Sequence, residues 1–135
     1  METQLAKSNW LTRLTEYLRS PRTRLWHGAI LCDPSGMTRT ITYEDDGSVV
    51  KDAFTWSDVV RVSAFKRDVF SYDLICFEFE TVGGFVEVGE DMEGWRILID
   101  TLPVNLPGIL AEDDWFAKVA LPPFATNWTT LFTRR

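Results

Sequence analysis

Two runs in which apolar and polar side chains alternate, residues 73–81 and 85–89, meet at Gly83-Gly84. Alternation with a period of two marks a strand that buries one face. A glycine pair accepts the positive φ of a tight two-residue turn, so the stretch reads as a β-hairpin. With Gly83 and Gly84 as the loop, Phe79 opposes Val88, Thr81 opposes Val86, and Glu80 opposes Glu87. Ile75, Phe77, Phe79, Val86 and Val88 then share one face, and that face is the core side.

The run before the hairpin, residues 59–66, extends the same sheet if Val60, Val62 and Ala64 oppose Phe79, Phe77 and Ile75. This register leaves a connection from Lys66 to Asp73 and sets Arg61 beside Glu78. The other face collects Val59, Phe65, Leu74, Val82 and Phe85 together with Glu78, Glu80 and Glu87. Apolar groups on such a face need a cover, and opposed glutamates repel unless solvent or a partner screens them. Three covers are open: the chain's own ends, a basic protein, or a second copy of the chain. Glu78, Glu80, Glu87, Phe85, Val82 and Phe65 are therefore the candidate protein-binding residues.

Elsewhere, Leu11, Leu14 and Leu18, flanked by Trp10 and Tyr17, predict an amphipathic helix over 4–19 that Pro21 ends. Further strands are predicted near 25–32, 37–43 and 48–54, with Asp45-Asp46-Gly47 as the turn between the last two. Met92, Trp95, Leu98, Ile99 and Leu102 mark one helix face, with Asp91 placed as its N-cap and Pro103 and Pro107-Gly108 stopping it. A short helix around 112–120 and a Pro122-Pro123 break lead to a tail bearing Phe124, Trp128 and Phe132, which is expected to pack back on the body.

The whole chain, 1–135, thus reads as a single α+β domain. Its expected architecture is an antiparallel sheet or partly open barrel of about six to seven strands, with an N-terminal helix and a helix after the last hairpin. Residues 25–102 form the sheet-plus-helix core and 103–135 the aromatic tail.

Fourteen Lys and Arg against 20 Asp and Glu give a net charge of −6, which opposes attraction to phosphate backbones or anionic lipid. No apolar run reaches the length of a spanning helix, and the polar start lacks the order of a secretory signal, so a cytoplasmic location is expected. Cys32 and Cys76 sit in apolar stretches, where thiols serve as small buried hydrophobes. His27 is the single histidine, so imidazole-based zinc sites and histidine-dependent triads lack material. No phosphate-cradling or dinucleotide glycine motif is present, and no cofactor is expected. Arg13, Arg19, Arg22 and Arg24 form one basic cluster. It complements the dipole of the first helix, and Arg19, Arg22 and Arg24 are alternatively an anion site.

The order of strands closed by an amphipathic helix, Leu25 to Leu102, resembles the pleckstrin-homology-like superfold. The match is best from Trp56-Ser57-Asp58 through the Gly83-Gly84 hairpin to the helix bearing Trp95, Leu98 and Leu102. The resemblance implies a scaffold that binds peptides, proteins or lipids more often than it catalyses, although Arg22-Thr23-Arg24 does not reproduce the basic lipid motif of that superfold. In composition, small acidic aromatic-rich immunity proteins are also similar. The expected function is a noncatalytic protein-binding or regulatory domain with a basic protein as partner. The alternatives are a homo-oligomeric structural domain and a metal-dependent enzyme using Glu78, Glu80, Glu87 and His27.

Overall fold

The computed structural model describes residues 25–69 and 72–135. The predicted helix 4–19 and the candidate anion residues Arg19, Arg22 and Arg24 lie outside the described residues.

Among the described residues, seven strands and two helices make an α+β fold of two antiparallel sheets. The first sheet is the meander β1 (Trp26–Cys32), β2 (Gly36–Tyr43) and β3 (Val49–Thr55). A short 3-10 turn, Trp56–Asp58, carries the chain into β4 (Val59–Asp68), β5 (Asp73–Thr81) and β6 (Gly84–Gly89). Helices α1 (Trp95–Asn105) and α2 (Glu112–Ala120) follow, and β7 (Thr129–Thr133) returns to pair with β4. The second sheet therefore runs β6-β5-β4-β7.

Period-two alternation decides what each strand buries. Met37 and Ile41 of β2 face Val62 and Ala64 of β4, Ile75, Phe77 and Phe79 of β5, and Val86 and Val88 of β6 within one core. Leu98, Ile99 and Leu102 of α1 and Trp115 and Val119 of α2 complete it. Phe77 is fully buried, with the rings of Trp95 and Trp115 edge-on at 4.9 and 5.1 Å. A buried phenylalanine in such a setting contributes about 2–3 kcal/mol by burial alone.

The hairpin keeps its predicted faces but not its predicted register. Phe77 opposes Val88, Glu78 opposes Glu87, Phe79 opposes Val86, Glu80 opposes Phe85 and Thr81 opposes Gly84. The turn residues are Val82 and Gly83, because the Thr81 hydroxyl donates to the Gly84 carbonyl at 3.0 Å and accepts from the Gly83 amide at 3.2 Å. Gly84, at φ 137°, pairs within the ladder. A slip of two residues leaves every side chain on the side its parity dictates, which is why the core face survives.

In β4 a bulge between Val59 and Arg61 turns Val59 into the core, where the sequence places Val60. Val62 then opposes Phe79, Ala64 opposes Phe77, and Arg61 meets Glu80 rather than Glu78. Asp91 is not the cap of α1. The Ile30 amide donates to the Glu93 carbonyl at 2.7 Å and the Glu93 amide to the Gly28 carbonyl at 3.1 Å, so this segment zips onto β1 before the helix begins. Gly94 occupies the N-cap position at φ 91°, and a Cβ there would lie 2.2 Å from the Ile30 carbonyl oxygen. Only glycine allows that approach.

Candidate functional site

The predicted protein-binding residues occupy the face of the second sheet turned away from the core, and their neighbours are more basic than the sequence suggests. Glu87 receives two hydrogen bonds from the Arg67 guanidinium, at 2.7 and 2.6 Å. Arg67 is on β4 and Glu87 on β6, so the pair reaches across β5. The same guanidinium lies 5.3 Å from the centre of the Phe65 ring. Arg61 lies 3.4 Å from Glu80. Phe85 is partly buried opposite Glu80, and Val82 is exposed at the hairpin tip.

Phe65 is not a surface residue. It is buried with Leu74 and Cys76 in a small apolar cluster on this face, and the indole of Trp128 stacks on its ring at 4.5 Å. The C-terminal segment thus covers part of the outer face, one of the three covers open from the sequence.

Around that cover lies an arrangement that sequence reasoning missed. Lys66 shares parity with Val62 and Ala64, and Asp73 with Ile75 and Phe77, so both charged groups continue the core stripe to its end. Lys66 Nζ donates to Asp73 Oδ2 at 3.1 Å, to the Ala120 carbonyl at 2.7 Å and to the Pro122 carbonyl at 2.8 Å. All three of its protons are used, and the Ala120 contact places the cation at the C-terminus of α2, where the helix dipole favours it. Asp73 Oδ2 also accepts the Phe124 amide at 2.7 Å, which holds the carboxyl below its usual range. The Asn127 amide group donates to the Val119 and Pro122 carbonyls, both at 3.0 Å, and the Lys66 backbone amide donates to the Thr126 carbonyl at 2.8 Å.

These bonds hold a connection that the backbone alone would not choose. Phe124 sits at φ 58°, a region that is unfavourable for a bulky side chain by on the order of 1–3 kcal/mol, and Asn127, at 50°, is of a type that accepts it. The pinned connection turns apolar groups to solvent: Phe124 is 67% exposed, Leu121 64%, Trp128 53%, and Tyr72, beside Asp73, 54%.

Carboxylates gather at the opposite edge of this sheet, that of β6. The Cys76 thiol is pushed far up by burial and then by Glu87, with further contributions from Asp91 and Glu90. Asp91 is itself held above its ordinary range, mainly by burial and also by Glu87. Glu90 accepts the Ile75 amide at 3.0 Å, and a Cβ added at Gly89 would meet both Asp91 Oδ1, at 2.8 Å, and a Leu74 methyl, at 3.3 Å. Glu87, Glu90 and Asp91 therefore surround the Leu74–Cys76 end of β5.

Among the described residues no group of three or more His, Cys, Asp or Glu side chains is placed to hold a metal ion, and no helix is long and apolar enough to cross a membrane. Cys32 and Cys76 are free thiols, and His27 lies exposed with Nδ1 3.7 Å from Glu44. No protein-family model, curated protein or solved structure matches the chain significantly.

Proposed function

We propose that this chain is a noncatalytic protein-binding or regulatory domain whose partner is a basic protein. One observation carries the reading, the distribution of charge. From Leu25 onward 18 acidic side chains stand against nine basic ones. Five of those nine, Arg39, Arg61, Lys66, Arg67 and Arg96, already pair with carboxylates of the same body. What remains is a negative field, and such a field steers cationic surfaces and repels phosphate backbones. The outer face of the second sheet, with Glu78, Glu80, Glu87, Phe85 and Val82, is the proposed contact surface. An immunity protein that neutralises a basic toxin is one concrete form of this function. Six antiparallel strands followed by a helix also support the pleckstrin-homology-like reading, which is an analogy of scaffold and names no ligand; α2 and β7 are additions to it.

The test is retention of proteins from native lysate by the immobilised chain at low and at high salt, with identification by mass spectrometry. A basic protein that is held at low salt, lost at high salt, and rebinds after purification supports the proposal. Recovery of the immobilised chain alone, or of acidic proteins alone, overturns it.

A further inference from the structure

We infer that the basic partner is anchored at the Trp128 end of the second sheet, with an apolar side chain against Phe124, Trp128 and Tyr72 and a flanking cation on Glu90 and Asp91. This rests on the proposal of a basic partner and adds where it docks and what kind of surface it must present.

Three observations converge on that end. First, Phe124 is held at positive φ by the hydrogen bond from its amide to Asp73, and its ring is left in water. Folding gains nothing from an exposed ring on a strained backbone, whereas a docking partner gains a preset aromatic anchor. Second, the segment that carries it is tied down: Trp128 stacks on buried Phe65, and the connection is held through Lys66, Asp73 and Asn127. Anchors on such supports need little ordering on binding. Third, charge selects the partner. At the hairpin end, Arg61 lies against Glu80. Near Leu74, Arg67 holds Glu87, and Glu90 and Asp91 add two exposed carboxylates at the end of β6. Trp128 adjoins β7 and Glu90 and Asp91 follow β6, at opposite edges of the four-stranded sheet, which fits an extended partner surface that carries apolar and basic side chains across its width.

The experiment titrates the full chain at low salt with three short fluorescent peptides alternating lysine with leucine, lysine with serine, or glutamate with leucine. Binding is measured for the wild type and for Phe124→Asn, Trp128→Ser, Val82→Ser and Val104→Ser. Asparagine tolerates positive φ, so Phe124→Asn keeps or raises the melting temperature, and loss of affinity in that variant cannot be blamed on unfolding. The inference expects the lysine–leucine peptide to bind best. It expects Phe124→Asn and Trp128→Ser to weaken that binding by at least about tenfold, and Val104→Ser, on the exposed side of α1, to leave it unchanged. If the lysine–leucine peptide binds but only Val82→Ser weakens it, the anchor is at the hairpin tip and this inference falls while the basic partner stands. If the glutamate–leucine peptide binds as well, or no peptide binds, the basic-partner reading falls with it.

Discussion

Lys66 and Asp73 meet where β4 turns into β5, Nζ to Oδ2 at 3.1 Å, and between them they bind three backbone groups of the connection from α2 to β7, those of Ala120, Pro122 and Phe124. An ion pair that closes the end of a core stripe also fixes the route of the chain beside it.

Replacing Lys66 by Met keeps much of the side-chain volume but takes the ammonium from the Ala120 and Pro122 carbonyls and leaves the Asp73 carboxylate without its counter-charge. The expected cost is about 3 kcal/mol, because removing one member of a buried pair leaves the other uncompensated. Urea denaturation measures the loss. Amide exchange at Phe124 should also accelerate in the variant, since the loop loses its clamp before the core does.

Two displaced carboxyls, Asp73 and Asp91, give opposite responses to pH. Asp73 is held below 3.8 in the folded state, so its stabilising contribution is present above that value and is lost as pH falls through the lower folded pKa. Asp91 is held above 3.8, so its ionisation opposes folding near neutrality. Asp91→Asn should therefore raise the melting temperature at pH 7, and the gain should vanish under acid conditions where the aspartic acid is protonated in both states. Melting curves of the wild type and Asp91→Asn across that range read both effects.

Arg39 offers a test in which the two partners of one pair respond differently. It lies in the core stripe of β2 between Met37 and Ile41, contacts Asp52 on β3, and donates to the Glu87 carbonyl of the other sheet at 2.8 Å. Its Nε is buried without a partner. Arg39→Met should be nearly neutral or stabilising, since a well-packed hydrophobe avoids the desolvation of a guanidinium. Asp52→Ala should cost about 3 kcal/mol, because it leaves the guanidinium buried and unpaired. Denaturation of the two variants side by side decides the matter.

The thiols should be inert in the native state. Burial and the neighbouring Asp33 push Cys32 up to about 11, and Cys76 is pushed up further. A disulfide reagent at neutral pH should label neither until denaturant is added, because the thiolate is the reacting species.

The sequence makes faces legible and leaves pairings hidden. Parity alone assigns Phe77, Phe79, Val86 and Val88 to the core, because a slip of two residues does not alter it. Which residues turn is decided by the Thr81 hydroxyl and the φ of Gly84, neither of which is visible in a glycine doublet. A separate shift between β4 and β5, at the bulge after Val59, moves Arg61 from Glu78 to Glu80, and parity says nothing about the reach of Arg67 across β5 to Glu87. Lys66 and Asp73 were readable in principle, since they extend an apolar stripe. A charged residue in a strand ordinarily points to water, however, and only the arrival of the α2 C-terminus makes burial of Lys66 favourable. The tail was expected to pack back on the body. Trp128 does so in part, while Phe124 does not, because Asp73 fixes its amide and its positive φ turns the ring outward. The strand Thr129–Thr133 is short, and its pairing with β4 depends on residues far away in sequence.

The most direct test of the basic-partner account is the rate constant for association of the chain with its retained partner, measured by stopped flow as ionic strength rises from ~0.01 M to ~0.15 M. Over that interval the screening length shrinks from about 30 to about 8 Å. Steering by the negative body predicts a fall of at least about tenfold in the association rate. A rate that does not change with salt would contradict the account.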